Sequence, residues 1–120
     1  MKLDIRKIIQ SARGEKPVDL LLTGGKLVNV ISGEIYPEDV AIDSGYVVGF
    51  GNYPARKKIN LHGQFICPGF IDGHVHIESS MVTIPEFARA VLLCGVTSVV
   101  TDAHEIANVL GIDRWYKIYA

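Results

Sequence analysis

The chain has 120 residues, enough for one ordinary domain or for a piece of a larger protein. Apolar residues make up 48% and charged ones 21%, as in a soluble globular protein, and a net charge of -1 leaves no electrostatic reason to expect nucleic acid or an anionic membrane as the main partner. No apolar run approaches the roughly 20 residues that span a bilayer, and the N-terminal stretch has no apolar signal-peptide centre, so the expected location is cytoplasmic.

The first element is a short amphipathic helix within residues 1–17. Leu3, Ile8, Ile9 and Ala12 share one face, and Gly14 followed by Pro17 ends it. Residues 18–66 read as consecutive short strands in "DLLLTGGKLVNV", "DVAIDSGYVVGFG" and "KKINLHGQFI". Val, Ile, Leu and Tyr fill them, and Gly-Gly, Asp-Ser-Gly and His-Gly break them, which predicts a small antiparallel sheet or half of a β-sandwich module. His62, beside Gly63, reads as a turn residue. Cys67 and Cys94 are far apart and outside any CxxC pattern, which fits two small buried residues in a reducing compartment better than a disulfide or a thiolate site.

From residue 67 the pattern changes. "FIDGHVHI" is a strand, and "TIPEFARAVLLCG" is a helix with Thr83 and Glu86 spaced as a capping box. Phe87, Val91 and Leu92 line the face of that helix, and Gly95 ends it. "VTSVVT" is a continuous β-branched run of the kind buried on both faces of a parallel sheet, "DAHEIANVLG" starts a second helix, and "IDRWYKIYA" begins another. Strand, helix, strand, helix makes βα units and a parallel sheet, so the fold class is α/β.

Residues two apart on a strand share a face, so Asp72, His74 and His76 point one way. Two imidazoles at a strand end can offer nitrogens to one metal ion, with Asp72 orienting a ring through its other nitrogen. Two histidines do not complete a coordination sphere, and further ligands are needed. Asp102, His104 and Glu105 follow the second strand on the same rim. Asp102 and Glu105 are spaced for a capping box, and they are equally placed for a direct role at metal or substrate; the two readings are compatible. Glu78, Ser79 and Ser80 lie in the loop where substrate would sit, or form an ordinary polar loop. Asn108 reads as helix surface.

"PGFID" followed by His74 and His76 resembles the amidohydrolase superfamily. "HIESSM" and "VTDAHEIANVLG", with "ARGEKPVDLLLTGGKLVNVISGEIY" upstream, resemble more narrowly its metal-dependent adenine deaminases. The resemblance covers almost the whole chain. It implies an N-terminal β-sandwich module joined to a TIM-type (β/α)8 barrel, and a binuclear Mn2+ or Fe2+ centre at the barrel mouth with His74 and His76 among its ligands. It further implies hydrolysis of adenine to hypoxanthine and ammonia in purine salvage, Asp102 and Glu105 as catalytic-site carboxylates, Glu78 and Ser79 near the substrate, and a homo-oligomer. The zinc deaminases with an H-x-E…P-C-x-x-C signature are a different fold, and that signature is absent.

A complete barrel takes about 250 residues, and residues 67–120 supply its first two βα units. The expectation is therefore the N-terminal portion of such an enzyme, inactive by itself. Two alternatives stand beside it: another amidohydrolase acting on a cyclic amide or amidine, and a non-catalytic remnant or split subunit with an exposed, aggregation-prone strand edge.

Overall fold

The computed structural model describes residues 4–114. The chain forms two compact units, Met1–Pro68 and Gly69–Ala120. Among the described residues no helix is long and apolar enough to cross a membrane.

The first unit begins with helix α1 (Ile5–Ala12), which Asp4 caps by accepting the Lys7 N–H. Seven strands follow: β1 (Val18–Thr23), β2 (Lys26–Asn29), β3 (Glu34–Pro37), β4 (Val40–Asp43), β5 (Tyr46–Phe50), β6 (Ala55–Asn60) and β7 (Phe65–Ile66). They make two sheets, ordered β5-β4-β1-β6 and β3-β2-β7. Of the two arrangements expected, a small antiparallel sheet or half of a sandwich, the first is not what forms, since the pairing is mixed. Each sheet holds a parallel pair, β1 with β6 and β2 with β7, because the chain leaves the first sheet at the Gly24-Gly25 turn and re-enters both later. Gly24 has a φ of +64°, and a Cβ on Gly25 would strike the Ile66 and Leu61 side chains at 2.9 Å. His62, with φ +49°, and Gly63, with φ +83°, form the turn that the sequence indicates.

Val18, Leu21 and Ala41 are the buried centre of this unit, with Val48, Tyr53 and Ala55 against them. Residues from both sheets, among them Leu27, Tyr36, Val40, Val47, Phe50 and Ile66, line an apolar cavity of about 470 Å³. Helix α1 sits against β5, but its fully buried residue is the polar Ser11, while Ile9 of the expected apolar face is half exposed. Leu3, the other end of that face, lies outside the described residues.

Ser11 is buried because it has a buried partner. Its Oγ donates to Asp43 Oδ2 at 2.8 Å, the Ser44 hydroxyl donates to the same oxygen at 3.3 Å, and Lys16 Nζ lies 3.7 Å away. Burial works against the ionised carboxyl, but the Ser11 hydrogen bond and the charges of Lys16 and Lys7 outweigh it and hold Asp43 below the ordinary carboxylate range.

The second unit holds strand β8 (Phe70–Val75), a turn of 3-10 helix over Ile77–Ser80, helix α2 (Ile84–Leu93), strand β9 (Val96–Thr101) and helix α3 (His104–Leu110). Strands β8 and β9 pair in parallel, as a βα unit requires. Three expectations change here. Thr83 occupies the N-cap of α2 but makes no side-chain capping bond, and the Glu86 carboxylate accepts from Arg89, three residues on, at 3.2 Å. Strand β9 is not buried on both faces: Val100 is 59% exposed, and among the described residues β8 is the one strand paired with it. Cys94 at the end of α2, and Cys67 in the first unit, are exposed free thiols rather than buried ones. Among the described residues Ile77 is the buried apolar residue of this unit, and Asn108 is on the helix surface as read. Residues 112–114 are helical, and the rest of the helix expected over "IDRWYKIYA" lies outside the described residues.

The Asp43 pairing sets an acid limit on stability. Folding lowers this pKa, so its contribution is full above the unfolded value of about 3.9 and is lost as pH falls through the folded one. Urea midpoints measured from pH 7 down to pH 3 should fall at the acid end, and Asp43→Asn should flatten that limb. Ser11→Ala, which removes a hydrogen bond to a buried carboxylate, should cost about 1.5–3 kcal/mol at pH 7.

Candidate metal centre

The register of the β8–β9 pair builds the site. Val75 stands opposite Thr101, so both strands end at one level and the residues that follow, His76 and Asp102, emerge side by side. His74 lies within β8, and His76 caps the 3-10 turn with extended backbone (φ -104°, ψ 100°), which keeps both side chains on one face. Their rings meet edge to face with centroids 4.8 Å apart, and the two Nε2 atoms are 3.0 Å apart.

The other nitrogen of His76 decides what this pair can do. His76 Nδ1 lies 3.1 Å from the Asp102 carbonyl oxygen. A carbonyl can only accept, so Nδ1 carries the proton and the Nε2 of the neutral ring presents its lone pair. Two ligand atoms about 2.05 Å from an ion at tetrahedral to octahedral angles lie about 2.9–3.3 Å apart, and the observed Nε2 spacing falls in that range. These residues fit a divalent metal ion.

Asp72 Oδ1 accepts the backbone N–H of His74 at 3.1 Å, a local bond two residues on. Asp102 repeats that bond at the next strand end, accepting the His104 N–H at 3.2 Å, and its carboxylate also takes the His104 Nδ1–H. The His104 ring lies edge to face on His76, with centroids 4.8 Å apart. Hydrogen bonding from the His104 side chain, then from its backbone N–H, holds the Asp102 carboxyl below its usual range. The bond to Asp102, then its charge, raises His104, and Glu105 and Glu78 add to the effect. His104 therefore keeps its proton to higher pH than an ordinary imidazole. Ligand atoms of His76, Asp102 and His104 lie within 4.8 Å of one another, and His74 Nε2 lies 3.0 Å from that of His76.

The capping box between Asp102 and Glu105 is not formed. Ala103 is the N-cap of α3 and makes no side-chain cap. Glu105 turns the other way, and its Oε2 accepts from Ser79 Oγ at 2.9 Å. Ser80, beside it, donates to the Ile77 carbonyl of its own turn. Glu78 lines a cavity of about 440 Å³ with Ile77, Met81, Val82, Ile84 and Ile106. The structure thus brings together His74, His76, Asp102, His104, Glu105 and Ser79 by direct contacts. His104 was the residue hardest to place from sequence, and the signal that marks it is the Asp-x-His spacing it shares with Asp72 and His74.

Comparison with known proteins shows what this geometry is similar to. Residues 65–120, which include the whole second unit, match the model of the amidohydrolase family. Nearly the whole chain is also similar to the N-terminal portion of adenine deaminases. It is 50% identical over 113 residues to that of Moorella thermoacetica, covering 90% of this chain and 19% of the relative. With that of Methanothrix thermoacetophila it shares 55% over 109 residues, covering 91% of this chain and 19% of the relative. The chain thus spans about a fifth of the length of these relatives. Among solved structures it resembles the N-acyl-D-glutamate deacylase of Bordetella bronchiseptica, solved with zinc and a phosphonate mimic of the tetrahedral intermediate. That match has 27% identity and a TM-score of 0.59, covering 72% of this chain and 19% of that one.

The tautomer of His76 is directly measurable. Ring ¹⁵N shifts of the neutral imidazole should show Nδ1 protonated and Nε2 bare; the opposite tautomer would mean that the Asp102 carbonyl does not hold the ring.

Proposed function

We propose that these residues form the metal-binding corner of an adenine deaminase, which hydrolyses adenine to hypoxanthine and ammonia in purine salvage. The observation that carries the reading is the His74–His76 pair, with His76 fixed by the Asp102 carbonyl, in a stretch similar to adenine deaminases. The complete fold is a TIM-type barrel in which β8 and β9 are the first two strands, and the exposed apolar faces of β9 and α2 are the surfaces its other elements would cover. The ions are Mn2+ or Fe2+ in a binuclear centre, the protein is a cytoplasmic homo-oligomer, and adenine is its small-molecule partner. Residues 1–120 alone, with two nitrogen donors, should be inactive.

A divalent ion held here supplies a nucleophile from water at neutral pH, because metal binding brings the pKa of water to about 7. His74 and His76 would hold it through Nε2. The Asp102 carbonyl keeps the His76 proton on Nδ1, and the Asp102 carboxylate keeps His104 oriented beside it. Glu105 would take a proton from water and pass it to the amine leaving C6. Glu78 and Ser79 lie on the loop that faces substrate. Water adds at C6, the C6–N bond breaks, and ammonia departs.

A chimera in which this chain replaces the matching N-terminal stretch of the Moorella thermoacetica relative tests the reading. Supplied with Mn2+, it should release ammonia from adenine. His74→Ala should lower kcat by more than about a hundredfold, the upper end for losing an outer-shell partner alone, and should reduce bound metal measured by mass spectrometry. A folded chimera that binds metal but leaves adenine intact, while hydrolysing a cyclic amide, would overturn the substrate assignment.

A further inference from the structure

Ser79 and Glu105 are 26 residues apart in sequence and come from different strand–helix connections, yet they share a side-chain hydrogen bond. The two serines of "HIESSM" differ in what they do. The Ser80 hydroxyl donates to the Ile77 carbonyl within its own turn, whereas Ser79 Oγ donates to Glu105 Oε2 at 2.9 Å. Ser79 is also tied to the metal-binding pair by its backbone, because its N–H donates to the His76 carbonyl at 3.1 Å. His76 Nδ1 in turn donates to the Asp102 carbonyl, three residues before Glu105. A closed ring of contacts results: His76 to Asp102, along the chain to Glu105, across to Ser79, and back to His76.

We infer that Ser79 is a positioning residue, holding Glu105 at a fixed distance from His74 and His76 rather than contacting substrate itself. This rests on the reading of Glu105 as the proton-handling carboxylate. Glu105 is exposed and has three side-chain torsions, so without a partner its carboxylate would sample several rotamers. The serine proton goes to Oε2, and among the described residues Oε1 accepts no hydrogen bond, which leaves that oxygen for the reacting proton. A hydroxyl suits this task because it donates a hydrogen bond without adding charge beside the carboxylate.

The test uses the full-length chimera with four variants: Ser79→Ala, Ser79→Thr, Glu105→Gln and the double variant Ser79→Ala with Glu105→Gln. Ser79→Ala should lower kcat on adenine by about ten- to a hundredfold, as expected for a misplaced reacting group, with KM and bound metal unchanged. Ser79→Thr, which keeps the hydroxyl, should restore most of the rate. Adding Ser79→Ala to Glu105→Gln should cost nothing further, since a positioning residue has no effect once its client is gone. A raised KM with kcat intact in Ser79→Ala would make Ser79 a substrate contact and overturn the inference, as would losses that multiply in the double variant. Full activity in Glu105→Gln would overturn the underlying assignment of Glu105, whatever Ser79→Ala does.

Discussion

The arrangement of the candidate metal centre depends on one hydrogen bond across a strand pair, from His76 Nδ1 to the Asp102 carbonyl. It exists because β8 and β9 are parallel and end in register, Val75 against Thr101, so that a backbone acceptor from one strand end meets a ring donor from the next. A carbonyl is an unusually firm choice for this purpose. It cannot titrate, it cannot rotate away on a flexible stem, and it enforces one tautomer at any pH where the ring is neutral. A carboxylate in the same place could be protonated or could bind the metal itself. Here the Asp102 carboxylate is drawn aside to His104, and the carbonyl is left to govern His76.

The two units hold themselves together by different means. The first has a small buried centre, Val18, Leu21 and Ala41, and a polar contact, Ser11 to Asp43, joining helix α1 to the end of β4. Its edge strand β6 carries Arg56, Lys57 and Lys58 in exposed positions, charges that discourage another strand from pairing there. The second unit buries Ile77 and leaves Phe70, Ile71, Leu93 and Val100 largely exposed. Its order at the site comes instead from polar links between consecutive strand ends.

What the sequence showed and what it hid follow from the range of each interaction. Period two in Asp72, His74 and His76 is a local property of a strand, and it located the paired rings. The alternation of strand and helix gave the parallel β8–β9 pair for the same reason. Contacts between distant residues were not legible. The spacing of Thr83 and Glu86 suggested a capping box, but Arg89 competes for the same carboxylate on the helix surface. The spacing of Asp102 and Glu105 suggested another, and the competitor there was Ser79, reached only after the strands pair. Ser11 gave no sign of burial because its partner Asp43 lies 32 residues on. The mixed sheets of the first unit were hidden likewise, since parallel pairing depends on where the chain returns.

The repeated Asp-x-His at the two strand ends shows how local and distant bonds divide the work. Asp72 accepts the His74 N–H and Asp102 accepts the His104 N–H, each across two residues, so each aspartate fixes the backbone of the histidine that follows it. Such a bond stabilises the exit from the strand but leaves the ring free to turn about its own torsions. Ring orientation needs a second contact. His76 finds it in the Asp102 carbonyl on the neighbouring strand end, while His104 finds it in the same aspartate that fixes its backbone. The two rings thus differ in the oxygen that orients them, a backbone carbonyl for His76 and a carboxylate for His104, and the carboxylate raises the His104 pKa.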